Sequence, residues 1–199
     1  MQLQEYFDQL APTWDEKLSP EKLACLSDTV KELGIRPGDS VLDVGSGTGV
    51  LLPFLAEGIG GEGRITALDF SAEMLLQGKA KNSQCMVDFV QANGMAIPVA
   101  DDSVDLALCN GVFPHFSDQR KALEEMARVL RNNGRVVICH TMGRQMINQL
   151  HKSIGGAVAD DLLPDEFQLR KLLEQAGLNI TCFEDRAERY LVIAEKAAR

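Results

Sequence analysis

Ser40–Leu55, SVLDVGSGTGVLLPFL, is the stretch whose reading decides the fold. A short apolar run, Val41-Leu42, leads to Asp43 and into Gly45-Ser46-Gly47-Thr48-Gly49, after which leucine and alanine take over. The pattern predicts a buried strand, a tight glycine turn and the first turns of a helix. Glycine has no Cβ, so such a turn can pass through positive φ and let a ligand approach the backbone. The helix that follows aims its free N–H groups and positive dipole end at the turn. A polar or negatively charged group is therefore expected there.

Outward from this stretch, strands and helices alternate. Upstream, Gln4 to Trp14 places Tyr6, Phe7, Leu10 and Trp14 at helical spacings. This is either an aromatic stripe packed on the body or a lid over the glycine turn. A helix over Leu18–Leu33 follows, with Ser19 as N-cap and Pro20 in its first turn. Downstream, a helix from Val50 to about Glu57 ends in a run of glycines, and RITALDF (Arg64–Phe70) is a second strand closing on Asp69. Ser71 caps a third helix, Asp88–Gln91 is a short strand and Val104–Cys109 a fourth. Ser117-Asp118 opens a helix whose Ala122, Leu123, Met126, Val129 and Leu130 share one face, and Asn132-Asn133-Gly134 stops it before a fifth strand, Arg135–Cys139. This rhythm predicts a parallel sheet covered on both faces.

The alternation breaks at the end of the chain. After a helix over Pro164–Ala176, the strands Asn179–Glu184 and Tyr190–Glu195 follow one another with too few residues between them for a helical crossover. They must pair as an antiparallel hairpin. The fold class is thus α/β, Rossmann-like and doubly wound, with a seven-stranded, mostly parallel sheet. One domain is expected over 1–199: a helical lid (1–36), a cofactor-binding core (37–139), a helical insertion at the acceptor side (140–163) and a C-terminal helix with the antiparallel strands (164–199).

The 199 residues are 45% hydrophobic, enough for one core, and the formal net charge of −9 argues against nucleic acid or an anionic membrane as the main partner. Cys25, Cys85, Cys109, Cys139 and Cys182 are scattered and form no CxxC pair, so they read as reduced and mostly structural. The opening MQLQEYFDQ is too polar for a signal peptide, and no apolar run approaches the roughly 18 residues of a membrane span. A cytoplasmic protein without a membrane span is expected, as a monomer or homodimer.

Several nucleotide folds share a glycine turn between strand and helix. No Gly-Lys-Ser/Thr follows the glycines, which excludes a Walker loop, and the spacing is G-x-G-x-G, with Val50 where a dinucleotide fingerprint has its third glycine. Asp69, at the end of the second strand and 24 positions beyond Gly45, is placed to accept hydrogen bonds from ribose hydroxyls. With the terminal hairpin, Asp43-Val44-Gly45-Ser46-Gly47-Thr48-Gly49 and Asp69 resemble the class I S-adenosylmethionine-dependent methyltransferases, from about Pro37 to Lys196. Three further stretches are similar to that family's small-molecule branch, which includes quinone-ring methylases. They are Ala96-Ile97-Pro98 with Asp101–Asp105, Arg128–Arg135, and Tyr6–Asp15. Asn132-Asn133-Gly134 stands where relatives usually carry Pro-Gly-Gly.

The resemblance implies roles. S-adenosylmethionine would lie with its methionine end on Gly45, Ser46, Gly47 and the turn that Gly49 completes, tied to Asp43, and with its ribose on Asp69. Phe70 and Met74 would flank the adenine, and Asn93, Gly94 and Met95 would meet the adenine amino group. Asn93 replaces the usual acidic residue there, a hydrogen-bond acceptor without charge. Asn110 would offer its backbone near the cofactor's amino group.

Methyl transfer from a sulfonium is an in-line displacement, so alignment and water exclusion supply much of the acceleration. A general base is needed only if the acceptor must lose a proton. His115, in the loop after the fourth strand, is the candidate base; alternatively it packs between Phe113 and Phe116 and shapes the pocket. The small-molecule acceptor would meet Tyr6, Trp14, His115, His140, Arg144 and His151, with Arg144 facing an anionic group. No metal is expected, because His140 and His151 have no evident third ligand. Two other readings stand beside this one: an NAD-dependent oxidoreductase, and a non-catalytic relative that binds S-adenosylmethionine.

Overall fold

The computed structural model describes residues 2–198. Its centre is a seven-stranded sheet in the order β3-β2-β1-β4-β5-β7-β6. The strands are β1 (Ser40–Val44), β2 (Arg64–Asp69), β3 (Val87–Gln91), β4 (Val104–Asn110), β5 (Leu130–His140), β6 (Leu178–Arg186) and β7 (Arg189–Lys196). β1 pairs in parallel with β2 on one side and β4 on the other, whereas β7 runs antiparallel to both β5 and β6. Order reverses between β1 and β4, and the carboxyl ends of strands at such a switch point form a ligand crevice.

Alternation along the strands builds two cores. Leu42 and Val44 of β1, Ala107 and Cys109 of β4, and Val136 and Ile138 of β5 face one side, packed against α5 (Gln119–Val129) and α7 (Glu166–Gln175). Val41, Leu106, Leu108, Val137 and Cys139 face the other, against α2 (Pro20–Glu32) and α3 (Leu52–Ile59). The period of two is what a sheet buried on both faces requires. Each fully buried leucine, such as Leu42, Leu52 or Leu108, contributes about 1.5–3 kcal/mol through removal from water.

The caps form as the sequence reads. Ser19 Oγ accepts the Lys22 N–H at 3.3 Å, and Ser71 Oγ accepts the Met74 N–H at 3.1 Å to start α4 (Ala72–Lys81). Three boundaries differ. α1 (Leu3–Leu10) gives way to a 3-10 segment, Ala11–Lys17, instead of continuing to Trp14, because Pro12 has no backbone N–H to carry the α-helical ladder onward. The first crossover helix begins at Leu52, since residues 46–51 complete the glycine turn. β5 begins at Leu130, and its register against β4 shifts between Val104↔Leu130 and Leu106↔Arg135, where Asn133 adopts φ +64°. The Asn132-Asn133-Gly134 stretch is thus a bulge inside a strand, not a helix stop.

All five cysteines carry free thiols. No helix among the described residues is long and apolar enough to cross a membrane.

Candidate active site

The carboxyl ends of β1, β2, β4 and β5 open into a cavity of about 460 Å³. β1 delivers Asp43, the glycine turn Gly45, Ser46 and Gly47, β2 Asp69 with Phe70 after it, β4 Asn110, and β5 His140. Met74 joins from α4, Tyr6 and Trp14 from the N-terminal segment, and His151 from α6 (Arg144–Ile154). His115 ends a short 3-10 turn, Phe113–His115.

The turn spends its leading amides inside the protein. The amides of Gly45 and Ser46 both donate to Leu68 O, at 2.7 and 3.0 Å, Gly49 N–H donates to Ser46 O, and Gly47 N–H donates to Asp69 Oδ2 at 2.8 Å. Four of the turn's amides are thus engaged inside the protein and are not offered to a phosphate. Pro53, in the first turn of α3, removes a further donor from the helix end. Gly45, Gly47 and Gly49 have φ of +69°, +54° and +74°. At Gly45 a Cβ would also overlap the Val112 side chain, so the residue answers to packing as well as to backbone conformation.

What faces the cavity instead is carboxylate. Asp43 is 1% exposed with Oδ1 lacking any partner among the described residues, and Ser46 Oγ is likewise buried and unpaired. Burial, and then repulsion from Asp69, push the Asp43 carboxyl up to about 7. Asp69 is raised by burial too, offset by the amides of Ser71 and Gly47. Two buried carboxylates and an orphaned hydroxyl reject a pyrophosphate and suit a ligand carrying ammonium, sulfonium and hydroxyl groups. S-adenosylmethionine has all three. At Gly47 a Cβ would meet nothing closer than Met74 Sδ at 4.0 Å, and at Gly111 nothing within 4 Å, so two bare stretches of backbone border the same space.

The far wall is made of histidines. His115 Nδ1 lies 2.7 Å from Asp161 Oδ2, and its ring stacks on His151 with centroids 4.9 Å apart. His115 therefore does not sit between Phe113 and Phe116, which pair with each other at 6.0 Å; its aromatic neighbour is Phe7 at 5.1 Å. His140 is buried against Tyr190, and burial, then His115 and His151, hold its pKa down at about 3, so it stays neutral.

Phe7, on α1, also packs edge-on against Phe70 and Trp14. Asp8 Oδ1 accepts the Ser71 hydroxyl at 2.5 Å, while Asp15 accepts the Thr48 hydroxyl at 2.5 Å and pairs with Lys81. The N-terminal segment is thereby fastened to the glycine turn and to the start of α4.

Five of the expected site residues lie elsewhere. Gly49 packs on Leu52 and Asn82 behind the turn. Asn93, Gly94 and Met95 do not line the cavity: Asn93 Oδ1 closes a local turn on the Met95 N–H at 2.9 Å, and Gly94 packs on Phe116 and Val44. Arg144 is also absent from the lining, because Asp185 takes both its backbone N–H at 2.9 Å and its guanidinium at 3.6 Å. Conversely, Val112, Ile147, Val158 and Lys17 line the cavity, and Asp161 supports it from behind His115. Only the apolar periodicity of α6 hinted at Ile147. No motif marks Asp161, in the loop Ala159-Asp160-Asp161.

Comparison with known proteins agrees with this geometry. A family model described as a methyltransferase domain matches residues 42–138. The ubiquinone/menaquinone biosynthesis C-methyltransferase UbiE of Hahella chejuensis is 30% identical over 179 residues, 75% of this chain and 71% of that protein. The UbiE of Francisella philomiragia is 34% identical over 114 residues, 55% of this chain and 46% of that protein, so the chain spans about half the length of some curated relatives. A crystal structure of an S-adenosylmethionine-dependent methyltransferase from Aquifex aeolicus superimposes with a TM-score of 0.70 at 25% identity, covering 91% of this chain and all of that one. The likeness runs through the glycine turn and the strands that carry the cavity, and the chain belongs to the class I S-adenosylmethionine-dependent methyltransferases, as a relative of the quinone methylases.

Proposed function

We propose that this chain methylates a small hydroxylated aromatic acceptor of the quinone-precursor type, in the cytoplasm. The names of its UbiE relatives support the acceptor class. The observation that carries the reading is the cavity's division into two chemical halves: buried carboxylates, Asp43 and Asp69, on one wall and the Asp161-backed imidazole of His115 on the other. A dehydrogenase has no use for two buried carboxylates where a pyrophosphate must lie. A merely cofactor-binding relative has no use for a second, basic wall.

When bound, S-adenosylmethionine supplies an electrophilic methyl group and a neutral thioether leaving group. Asp43 and the hydroxyl of Ser46 would hold its ammonium end, Asp69 its ribose hydroxyls, and Phe70 with Met74 its adenine side. His115 Nε2 would take the hydroxyl proton of the acceptor, which raises electron density on the ring. Tyr6, Trp14, His140 and His151 would shape the acceptor space, and Val112, Ile147 and Val158 would exclude water from it. The N-terminal segment, Leu3–Lys17, acts as lid, and the stretch from His140 to Leu163 as acceptor wall, within one domain.

The test is titration calorimetry with S-adenosylhomocysteine, then transfer of labelled methyl to a panel of demethylated hydroquinones. His115→Gln should lower kcat by roughly 10²–10⁴ and leave the Kd for S-adenosylhomocysteine within about twofold. Binding of NADH but not of S-adenosylhomocysteine, or the absence of transfer to any acceptor, would overturn the proposal.

A further inference from the structure

Asp161 accepts two hydrogen bonds of different kinds. Its carboxylate Oδ2 receives His115 Nδ1 at 2.7 Å, and its backbone carbonyl receives His151 Nδ1 at 2.5 Å. A carbonyl can only accept, and an ionised carboxylate can only accept, so each Nδ1 must carry a proton. In a neutral imidazole that leaves Nε2 as a lone pair. Neither Nε2 has a protein partner among the described residues, and both rings line the cavity and stack on each other.

The loop that presents Asp161 is fixed from three sides. Its own N–H donates to Val158 O at 3.1 Å. Gln119 Nε2 donates to Leu162 O at 3.0 Å. The Asn148 side chain both donates to Leu163 O, at 3.0 Å, and accepts from Leu163 N–H, at 2.9 Å. Polar side chains from α5 and α6 thus hold a connection that has no regular structure at Asp161, which places its two acceptor oxygens before any ligand arrives.

We propose that Asp161 is the positioning residue of this site, setting two imidazoles at once so that His115 and His151 turn a matched pair of unprotonated Nε2 atoms toward the acceptor. The pair is graded. His115 has a carboxylate at its back to face the imidazolium that forms and His151 only a carbonyl, so His115 is the proton acceptor and His151 the fixed hydrogen-bond acceptor beside it. Burial, the largest influence on His151, lowers its pKa and keeps it neutral in that second role. In the transfer step the acceptor's O–H bond breaks and its proton goes to His115 Nε2. The released electron pair conjugates through the ring to form the new bond to the methyl group, and the bond from that methyl to the cofactor's sulfur breaks with its pair left on sulfur as a neutral thioether. Where a ring carbon is methylated, its hydrogen then leaves as a proton to solvent while His115 returns its own to the oxygen, and the Asp161 carboxylate faces the transient imidazolium. This proposal rests on the methyl-transfer reading for its purpose, but its geometry is tested without turnover.

The chain has three histidines, so ¹⁵N-labelled histidine gives a resolvable spectrum. In the wild-type protein above neutral pH, His115 and His151 should both report the Nδ1–H tautomer. In Asp161→Asn, whose amide can donate, and in Asp161→Ala, which offers nothing, His115 should leave the pure Nδ1–H form. His151 should not, because its partner is the backbone. An unchanged signal from buried His140 verifies that the variants are folded. The same variants should lower kcat by roughly 10²–10⁴ while the Kd for S-adenosylhomocysteine stays within about twofold, and Asp161→Glu should recover part of the loss. Retention of the His115 tautomer in both variants overturns the proposal, as does a His151 shift that accompanies it or misfolding shown by His140. Failure of the wild-type enzyme to methylate any acceptor, with the tautomers as expected, overturns only the methyl-transfer reading.

Discussion

Asp43→Asn removes a carboxyl group that the fold buries at 1% exposure with one oxygen unpaired. In the unfolded chain this group titrates at its ordinary value of 3.8; in the ligand-free fold burial and Asp69 push it up to about 7. Below about pH 4 both states hold the proton. Between about 4 and 7 the unfolded chain releases it and the fold retains it, so stability falls as pH rises. Three pKa units at 1.36 kcal/mol each amount to about 4 kcal/mol lost by pH 8. Asn keeps the shape and has nothing to ionise. The ligand-free variant should therefore match wild type at pH 4 and exceed it increasingly up to pH 8, by roughly 1–2 M in urea midpoint there. Binding should go the other way. A cationic cofactor stabilises the Asp43 carboxylate, and losing a charge-assisted hydrogen bond costs about 1.5–3 kcal/mol, roughly a tenfold to hundredfold rise in Kd. Urea unfolding at several pH values and calorimetry with S-adenosylmethionine measure the two halves. Parallel pH profiles for the two proteins, or a variant less stable at pH 8, would refute the reasoning.

Two further outcomes follow from the same loop. Gly45→Ala combines φ +69° with overlap of the new Cβ on Val112, and should lower Tm by at least about 5 °C in a thermal-shift assay; a fall under 2 °C contradicts the packing described. Asp15→Ala unfastens the N-terminal segment from Thr48 and Lys81, and should raise amide exchange across residues 11–17 several-fold while leaving the sheet protected. Unchanged exchange there would show that the aromatic packing of Phe7 and Trp14 alone holds the segment.

Much of the molecule is legible along the chain because its signals are local. Alternating apolar residues, caps such as Ser19 and Ser71, and glycines at positive φ act within a few residues, so the strands, the helices and the turn after β1 can be read in order. The short link between the last two strands likewise dictates a hairpin, and Asp69 follows from its place at the end of β2. Read alone, the glycine turn announces a site for something polar or negative.

Tertiary contacts decide the rest, and they change the sign of that site. Amides at Gly45, Ser46 and Gly47 are taken up by Leu68 O and by Asp69, 22 residues beyond Gly47, while the buried carboxyls of Asp43 and Asp69 line the cavity. Arg144 looks free on its helix until Asp185, 41 positions later, captures it. His115 acquires its carboxylate partner only because the chain returns, 46 residues on, with Asp161. β7, not β6, joins β5, because the hairpin must seat its more apolar strand inside the sheet and leave the half-exposed one at the edge. What the sequence determined by itself was the framework and the family of its cofactor. Which groups are buried, paired or left unpaired around that cofactor depended on residues far apart in the chain, since hydrogen bonding and desolvation act through space and leave no local pattern to read.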